Sequence, residues 1–380
     1  MSRIGIATIT IVIDNENAYN YGNRLQNFAL QEFLRKQGHD CETIRYKASI
    51  PERMLPQIRK KEDIVQIGDD VLRIIWRRIK SKELLSKNSN RKKLFDEFAK
   101  KHISYSEKIY DKNSDFSELD RKFDHFVVGS DQVWNPYCEG SNEFYYLTFT
   151  SKEKRSAYAP SIAVEDIPDD LLDNYRLWLS GFNRVSVREY AGQKLLLDKI
   201  GVSSELVSDP VFLLNEHEWS SIAADVKSAK PYFVTYFLGK QDVKTKKKIR
   251  QLEKKTGMKH VDIYTRDNPR SRFAGPEEFL GLIKNAEFIC TDSFHGTAFS
   301  IIFHTPMVIF ERGAVHKMNS RIDNILQLAS IEKRSVDDIL SGKSAITGIE
   351  FDADKKLERL IESSKKYLLN EVGHEVRNAN

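Results

Sequence analysis

The sequence predicts an α/β protein with parallel sheets, organised as two domains. Short apolar stretches alternate with amphipathic helical patterns along the 380-residue chain, which is typical of βαβ units and parallel sheets. The length favours two domains, because a single hydrophobic core rarely keeps growing beyond roughly 250 to 300 residues. With 40% hydrophobic and 11% aromatic residues, the chain can fill two ordinary cores.

Ten apolar stretches are candidate strands, and helical patterns separate most of them. The stretches are residues 4–13, 42–46, 123–128, 156–159, 185–188, 205–207, 232–238, 260–264, 286–290 and 307–310. The Asp209-Pro210 step, with a polar helix start at Asn215, predicts the domain boundary. The expected division is an N-terminal domain, a C-terminal domain, and a charged helix and tail that can pack back on the N-terminal domain: residues 1–214, 215–345 and 346–380.

The net charge of +5 is concentrated in one segment. Residues 73–101 carry eleven Lys or Arg and three acidic residues, a balance of +8, so the rest of the chain carries about −3. Within a helical insertion over residues 52–101, apolar residues around Trp76 repeat at helical spacing. Such a helix can lie on an anionic membrane surface; alternatively its apolar stripe packs on its own domain. No set of aromatic side chains arranged to stack on nucleobases accompanies these Lys and Arg residues, which argues against nucleic acid as a partner.

The cysteine spacing indicates a reducing compartment, and the first residues indicate a strand instead of a signal peptide. Cys41, Cys138 and Cys290 lack the paired spacing of a zinc site or a disulfide framework. The apolar stretch 4–13 is too short to span a bilayer and predicts a first strand. We expect a cytoplasmic, metal-independent protein, which the basic segment could bring to the inner face of the membrane.

The most informative polar cluster is residues 291–300, TDSFHGTAFS, between an apolar strand and an apolar helix. In parallel α/β sheets, ligands bind at such turns, beyond the carboxyl ends of the strands. The free N–H groups and the dipole of the helix start suit a phosphate or carboxylate. His295 would place a titratable proton donor beside that anion; alternatively it only caps the helix.

Polar residues at the start of the first long helix could line the same crevice. They include Asn20, Asn23 and Gln26. Asn and Gly favour helix-capping turns whatever the function. The additional amide of Gln26, one turn further on, favours a helix face directed at a ligand.

Another polar cluster, residues 129–136 (GSDQVWNP), directly follows the predicted strand 123–128. A tryptophan flanked by amides and a carboxylate suits a sugar, because the ring can cover an apolar sugar face while the polar groups bond hydroxyls. Trp134 could equally be a half-buried core residue. On the sugar-binding interpretation the contributing residues are Ser130, Asp131, Gln132, Trp134 and Asn135.

The remaining candidates end or follow short predicted strands. Ser161 follows one strand, and Arg188 ends another. Arg188 suits a bidentate grip on carboxylate or phosphate, although an Arg next to Glu189 in sequence is more often part of a surface ion pair. Lys317 and Arg321 are further basic candidates, with ordinary helix solvation as the alternative for Arg321.

Taken together, these clusters resemble the polysaccharide pyruvyl transferase family in wording and order. The matching segments span roughly residues 4 to 330 and are 20–31 (NYGNRLQNFALQ), 129–136 (GSDQVWNP), 158–163 (YAPSIA), 186–189 (SVRE), 208–214 (SDPVFLL) and 291–300 (TDSFHGTAFS). Each segment is short, but six in the same order form a specific signal.

The resemblance implies two Rossmann-like domains facing across a cleft, similar to the GT-B glycosyltransferases. It also implies phosphoenolpyruvate as donor substrate without a further cofactor, and a sugar that receives pyruvate as a ketal during synthesis of a surface polysaccharide. Relatives often read Arg-Leu-His-Gly where this chain has Ser293 and Phe294 before the histidine. The role of that arginine would therefore fall to Arg188, Lys317 or Arg321, or the donor sits differently.

The donor's chemistry assigns roles to these residues. Phosphoenolpyruvate carries up to three negative charges, so its site needs cations and helix N-termini. Ketal formation needs an acid and a base near one carbon, and we expect His295 as the acid and Asp131 as the base or an acceptor ligand. The expected donor-binding residues are Arg188, Ser293, Gly296, Thr297, Lys317 and Arg321. The expected acceptor-binding residues are Asn20, Asn23, Gln26, Ser130, Gln132, Trp134, Asn135 and Ser161.

Two other functions stay open at this point. A GT-B glycosyltransferase using a nucleotide sugar would share the fold. A non-catalytic glycan-binding or assembly factor would explain the missing arginine at Ser293. For the leading hypothesis we expect a lipid-linked sugar acceptor, in keeping with the basic segment.

Overall fold

The computed structural model describes most of the chain. It covers residues 1–10, 20–48, 81–137, 142–238, 241–263, 274–311, 319–346 and 355–373, with the side chains of 81–89, 319 and 320 left aside. The segment around Trp76, together with Cys138 and Lys317, lies outside the described residues.

The N-terminal domain is built on a five-stranded parallel sheet. The strands are β1 (Arg3–Ala7), β2 (Asp40–Lys47), β3 (Tyr105–Asp111), β4 (His125–Val128) and β5 (Arg155–Ala157), in the order β3-β2-β1-β4-β5. The order reverses between β1 and β4, which pair in register from Ile4 with His125 to Ala7 with Val128. Such a reversal opens a crevice beyond the carboxyl ends of the strands, so the segments after β1 and β4 are placed to bind a ligand.

In the described part of this domain, five α-helices and a small two-stranded sheet accompany the larger sheet. They are α1 (Tyr21–Lys36), α2 (Ser81–His102), α3 (Ser117–Lys122), α4 (Leu172–Leu179), α5 (Tyr190–Leu195), β6 (Ser186–Val187) and β7 (Glu205–Leu206). Helix α1 begins where the side chain of Asn20 accepts a hydrogen bond from the Gly22 N–H, a normal N-cap. Its first three turns are buried, because both domains pack against it.

The C-terminal domain contains a four-stranded parallel sheet with the order β11-β10-β8-β9. The chain runs through α6 (Glu216–Ile222), β8 (Tyr232–Tyr236), α7 (Val243–Thr256), β9 (Lys259–Asp262), α8 (Pro276–Lys284), β10 (Phe288–Thr291), α9 (Phe294–Ile302), β11 (Met307–Ile309), α10 (Asn319–Leu328), α11 (Val336–Ser341) and α12 (Lys355–Gly373). Here the strand order reverses between β8 and β10, so the turn after β10 takes the same place as the turn after β4.

One apolar core extends across both domains. Tyr21, in the first turn of α1, stacks on Phe279 of α8 with ring centroids 4.3 Å apart, and its hydroxyl donates to the Ala274 carbonyl at 2.6 Å. The ring centroids of Phe28 in α1 and Trp219 in α6 lie 5.6 Å apart, with the ring planes tilted by 59°. Because these aromatic contacts bury large apolar areas, they fix the carboxyl ends of the two sheets against each other.

The last helix, α12, lies on the N-terminal domain. The Tyr367 hydroxyl donates to the Ala157 carbonyl at 3.2 Å, and Ser364 Oγ accepts a 2.8 Å hydrogen bond from the Ser208 N–H. None of the described helices combines the length and the apolar character that crossing a bilayer requires.

One strand of the larger sheet has no counterpart among the predicted strands. Strand β3 reads YSEKIYD, with only its second and sixth residues buried. It forms one edge of the sheet, where few side chains need to be apolar, so its sequence contains no continuous apolar stretch to indicate it.

Candidate functional site

Four ionisable side chains from both domains meet at the carboxyl ends of the strands. Asp131 follows β4, Arg188 follows β6, Asp209 follows β7, and His295 lies in the first turn of α9, after β10. The order of the sheets forces this meeting, because each strand end opens toward the crevice between the domains. The cluster Asp131–Arg188–Asp209–His295 is the candidate functional site.

Arg188 lies at the centre of this cluster, with its side chain only 2% exposed. Its Nη1 donates to Asp209 Oδ2 at 2.5 Å and to Ser130 Oγ at 3.2 Å. Asp131 and Glu189 lie further out, at 3.6 Å from Nη2 and 3.7 Å from Nε. The interpretation of Arg188 and Glu189 as a surface ion pair is therefore wrong, because the guanidinium is buried among three carboxylates.

The C-terminal domain covers the guanidinium. The ring of Phe294 faces it, with its centroid 5.3 Å from Arg188 Cζ, in the range of a cation–π contact. Phe294 directly precedes His295 in the C-terminal domain. Its ring therefore covers the guanidinium of Arg188, which belongs to the N-terminal domain.

Asp209 is a site residue that the sequence patterns do not indicate. The Asp209-Pro210 step read as a domain boundary, and its carboxylate does cap the turn of 3₁₀ helix Pro210–Leu213 through the Val211 N–H, at 3.1 Å from Oδ1. Its other oxygen pairs with Arg188, and the side chain is fully buried. The signal that could have found it was the segment SDPVFLL, which belonged to the family resemblance.

Electrostatics keeps this central pair charged. Burial raises the pKa of Asp209, but the Arg188 charge, together with His295 and the Val211 N–H, lowers it below its ordinary value. Burial lowers the pKa of Arg188, and the carboxylates of Asp209, Asp131 and Glu189 raise it above its ordinary value. The cluster therefore holds a permanent cation within a ring of acids.

His295 is buried to all but 8% of its surface. Its Nε2 lies 3.7 Å from Asp209 Oδ2, too far for a hydrogen bond, and has no hydrogen-bond partner. The other side of the ring lies against the first turn of α1: a Cβ on Gly22 would fall 1.9 Å from His295 Nδ1. The imidazole is thus confined between the two domains, with Nε2 directed at the charged cluster.

Asp131 borders the cluster on the side of α1. Its Oδ2 accepts a 3.2 Å hydrogen bond from Asn23 Nδ2, and Oδ1 accepts from the Gln132 N–H at 2.9 Å. The backbone of Asp131 has φ of 69°, a left-handed conformation that Asp tolerates better than most residues. With a side chain 15% exposed, Asp131 is the most accessible acid of the cluster.

Several predicted acceptor ligands instead join the loops around the cluster. Gln26 donates to Thr8 Oγ1 and accepts from the Ser130 N–H, both at 3.1 Å. Ser161 donates to Glu189 Oε1 at 2.7 Å. These side chains are fully buried, so they hold the strand ends in position rather than facing the crevice.

Trp134 lies in the hydrophobic core and not at the crevice. It is fully buried, and its ring stacks on Tyr146 at a centroid distance of 5.4 Å. Its Nε1 donates to the Tyr145 carbonyl at 2.9 Å, and Tyr175 donates to its backbone carbonyl at 2.6 Å. The expectation that this ring covers a sugar is wrong, because no face of it is exposed; it belongs to the core beneath the turn.

Two other residues of that turn bond to each other. Asn135 Nδ2 donates to Gln132 Oε1 at 2.9 Å, and Asn135 Oδ1 accepts from the Tyr137 N–H at the same distance. Gln132 is partly exposed, whereas Asn135 is 6% exposed. These bonds stabilise the turn's own shape.

The predicted donor ligands after β10 form the start of α9. Ser293 is the N-cap, and its Oγ accepts from the Gly296 N–H at 3.4 Å. Thr297 Oγ1 donates to the Ser293 carbonyl at 3.1 Å. Arg321 is buried on α10, which packs against α9. The helix start is therefore shaped by its own hydrogen bonds and carries His295 into the cluster.

Within the described ranges, no group of three or more His, Cys, Asp or Glu side chains is placed to hold a metal ion. The two cysteines among the described residues, Cys41 and Cys290, are free and buried. Burial raises the pKa of Cys41 to about 12, so its thiol is a poor nucleophile and metal ligand.

Comparison with known families identifies one match. The family model described as polysaccharide pyruvyl transferase matches residues 20–313, a range that contains Asp131, Arg188, Asp209 and His295. A search of curated proteins gave no match.

Solved structures with a similar fold include several sugar-nucleotide epimerases. A putative UDP-N-acetylglucosamine 2-epimerase from Listeria monocytogenes superimposes with a TM-score of 0.53 at 6% identity, covering 100% of this chain and 97% of the other. The UDP-GlcNAc 2-epimerase from Neisseria meningitidis, bound to UDP-GlcNAc, gives 0.51 at 9% identity, with 98% and 100% covered. At such identities the likeness concerns the fold alone: two Rossmann-like domains in the GT-B arrangement.

Proposed function

The chain belongs to the polysaccharide pyruvyl transferase family, and we propose that it transfers pyruvate from phosphoenolpyruvate to a sugar as a ketal. The observation that supports this most is the meeting of His295 from one domain with Arg188 and Asp131 from the other. An acid, a cation and a carboxylate base around one crevice are the groups that the chemistry requires.

The proposed reaction begins at the donor's double bond. His295, in its imidazolium form, gives a proton from Nε2 to the methylene carbon of phosphoenolpyruvate. A sugar hydroxyl adds to the neighbouring carbon while its proton passes to Asp131. The bond from that carbon to the phosphate oxygen then breaks and phosphate leaves, carrying the proton from Asp131. A second hydroxyl closes the ketal and returns a proton to His295.

The donor's charge sets a further requirement. Arg188 already faces Asp209, Asp131 and Glu189, so its charge alone does not balance a trianion. We assign the remaining positive potential to the N-terminal ends of α1 and α9, which adjoin the cluster, and to Arg321 and Lys317. These groups would take over the role of the arginine that relatives carry at the position of Ser293.

Product analysis tests the proposal directly. The protein would be incubated with phosphoenolpyruvate and a panel of p-nitrophenyl glycosides, with phosphate release and product mass as readouts. We expect phosphate release in step with a pyruvate ketal on at least one glycoside. Turnover of a nucleotide sugar without any use of phosphoenolpyruvate would assign the site to glycosyl transfer. Glycan binding unaffected by His295→Gln, with neither reaction, would leave a non-catalytic role.

We also propose that the acceptor in the cell is a lipid-linked precursor of a surface polysaccharide, reached at the inner face of the membrane. The basic segment 73–101 supports this, since clustered cations attract anionic lipid headgroups. Co-sedimentation with vesicles containing anionic lipid should fall on charge reversal at Arg77 and Arg78. Unchanged binding would show that the segment packs internally.

A further inference from the structure

One buried carboxylate lies between cationic or basic side chains of the two domains. Asp209 Oδ2 is 2.5 Å from Arg188 Nη1 in the N-terminal domain and 3.7 Å from His295 Nε2 in the C-terminal domain. Its second oxygen is held by the Val211 N–H, so the carboxylate is fixed on both sides. The side chain has no exposed surface, and water does not screen its charge.

His295 Nε2 needs such a neighbour. The atom is buried and lacks a hydrogen-bond partner, and an unsatisfied polar atom in the interior is unfavourable. A protonated imidazole would be more unfavourable still unless an anion stood nearby. Among the described residues, Asp209 supplies the carboxylate next to this nitrogen, with Oδ2 3.7 Å from Nε2.

The opposite edge of the imidazole is fixed by shape rather than by charge. Gly22 lies so close that a Cβ would be 1.9 Å from His295 Nδ1 and 2.4 Å from Cε1. Any side chain at this position of α1 would push the ring out of its place. The glycine in the first turn of this helix is therefore needed to leave space for the imidazole, and not to allow an unusual backbone conformation.

We propose that Asp209 and Gly22 are positioning residues that hold the His295 ring between the domains, Asp209 by placing its negative charge next to Nε2 and Gly22 by leaving room for the ring. This inference rests on the proposed function, in which His295 is the acid. Asp209 takes no proton itself, because Arg188 keeps it ionised; the proton that leaves Nε2 is replaced from the second sugar hydroxyl.

Asp209→Asn tests the electrostatic part. The amide oxygen can still accept from the Val211 N–H, so the turn at 210–213 keeps its cap, while the negative charge is lost. We expect kcat to fall by roughly 10²-fold, whereas KM for phosphoenolpyruvate does not rise, because one carboxylate fewer repels the donor.

Histidine ring NMR provides a readout that does not require turnover. The His295 ring signals, identified by their loss in His295→Gln, are compared between wild type and Asp209→Asn at one pH. We expect them to shift in the variant, because the charged oxygen 3.7 Å from Nε2 is lost. If they shift while no phosphoenolpyruvate is consumed by wild type, the positioning role stands and the proposed function fails. Unshifted signals overturn the role of Asp209.

Gly22→Ala tests the steric part, with Gly373→Ala as its matched control. Gly373 also lies in a helix, α12, but among the described residues a Cβ at this position would meet nothing beyond its own helix within 4 Å. We expect Gly22→Ala to lower kcat by roughly 10²-fold and to shift the His295 ring signals, and Gly373→Ala to change neither. Full activity and unshifted signals in folded Gly22→Ala would contradict the proposal.

Discussion

The turn after β4 and the turn after β10 occupy equivalent places, each at the carboxyl end of a strand where its sheet reverses. Their chemistry differs. The first turn directs Trp134 into the core and uses Asn135 for its own hydrogen bonds, leaving Asp131 at the cluster. The second caps its own helix with Ser293 and presents His295 between the domains. A polar residue at a strand end can therefore serve the loop or the ligand, and its hydrogen-bond partners decide which.

The largest expected effect concerns the second turn. His295→Gln should lower kcat by about 10²- to 10⁴-fold, the usual contribution of a general acid. Stability should change little, because Nε2 has no hydrogen bond to lose. Phosphate release from phosphoenolpyruvate with the glycoside panel measures the rate, and urea unfolding measures stability. Wild-type turnover in this variant would contradict the catalytic role that distinguishes the turn after β10 from the turn after β4.

In the first turn the expected effect is on stability. Trp134→Ala removes a fully buried ring and its hydrogen bond to the Tyr145 carbonyl, which should lower the free energy of unfolding by about 3–5 kcal/mol. Trp134→Phe, which can still stack on Tyr146, serves as the milder variant and should bind phosphoenolpyruvate like wild type. A stable Trp134→Phe protein with a raised KM for the sugar alone would restore the sugar-binding interpretation.

A pH effect of similar size comes from the strand below the first turn. Burial, with smaller contributions from His39 and Lys154, lowers the pKa of His125 in β4 from 6.5 to about 4. The unfolded chain therefore binds a proton that the folded protein excludes, so stability should fall as pH drops from about 6.5 to 4, by about 3 kcal/mol in total.

Urea unfolding across this range measures the slope. His125→Gln should flatten it, whereas His217→Gln, at an exposed histidine, should not. An equally steep slope in His125→Gln would mean that other groups cause the acid sensitivity. This result would leave the catalytic role of the second turn untouched.

The smallest expected effect separates loop support from ligand contact. Asn135→Ala loses the bonds to Gln132 and to the Tyr137 N–H, and should lower the free energy of unfolding by about 1 kcal/mol. The affinity for phosphoenolpyruvate, measured by calorimetry, should stay at the wild-type value. Weakened donor binding at unchanged stability would instead place Asn135 in the donor site.

The sequence predicted the fold class and located the strand ends, because apolar strands and polar turns leave direct patterns. The GT-B arrangement came from the family resemblance, and the similar solved structures support it. Strand β3 was missed because an edge strand needs few apolar residues. The placement of Trp134 was open, since GSDQVWNP reads the same whether its polar groups bond a sugar or each other.

Asp209 shows a different limit of sequence reasoning. Its local pattern, Asp before Pro, indicates a helix start, and it does cap one. Its more important contacts are with Arg188, 21 residues earlier in the chain, and with His295 in the other domain. Only the three-dimensional arrangement of both sheets brings these residues together, so no local pattern could show that one carboxylate serves two roles.

The proposed donor site is tested most directly by a calorimetric titration of phosphoenolpyruvate, and separately of UDP, into wild type and Arg188→Lys. The lysine keeps a positive charge among the carboxylates but loses the planar fork that can hold a carboxylate or phosphate. We predict saturable phosphoenolpyruvate binding to wild type, weakened about tenfold or more in Arg188→Lys, and no binding of UDP. Binding of UDP with none of phosphoenolpyruvate would contradict the proposed function.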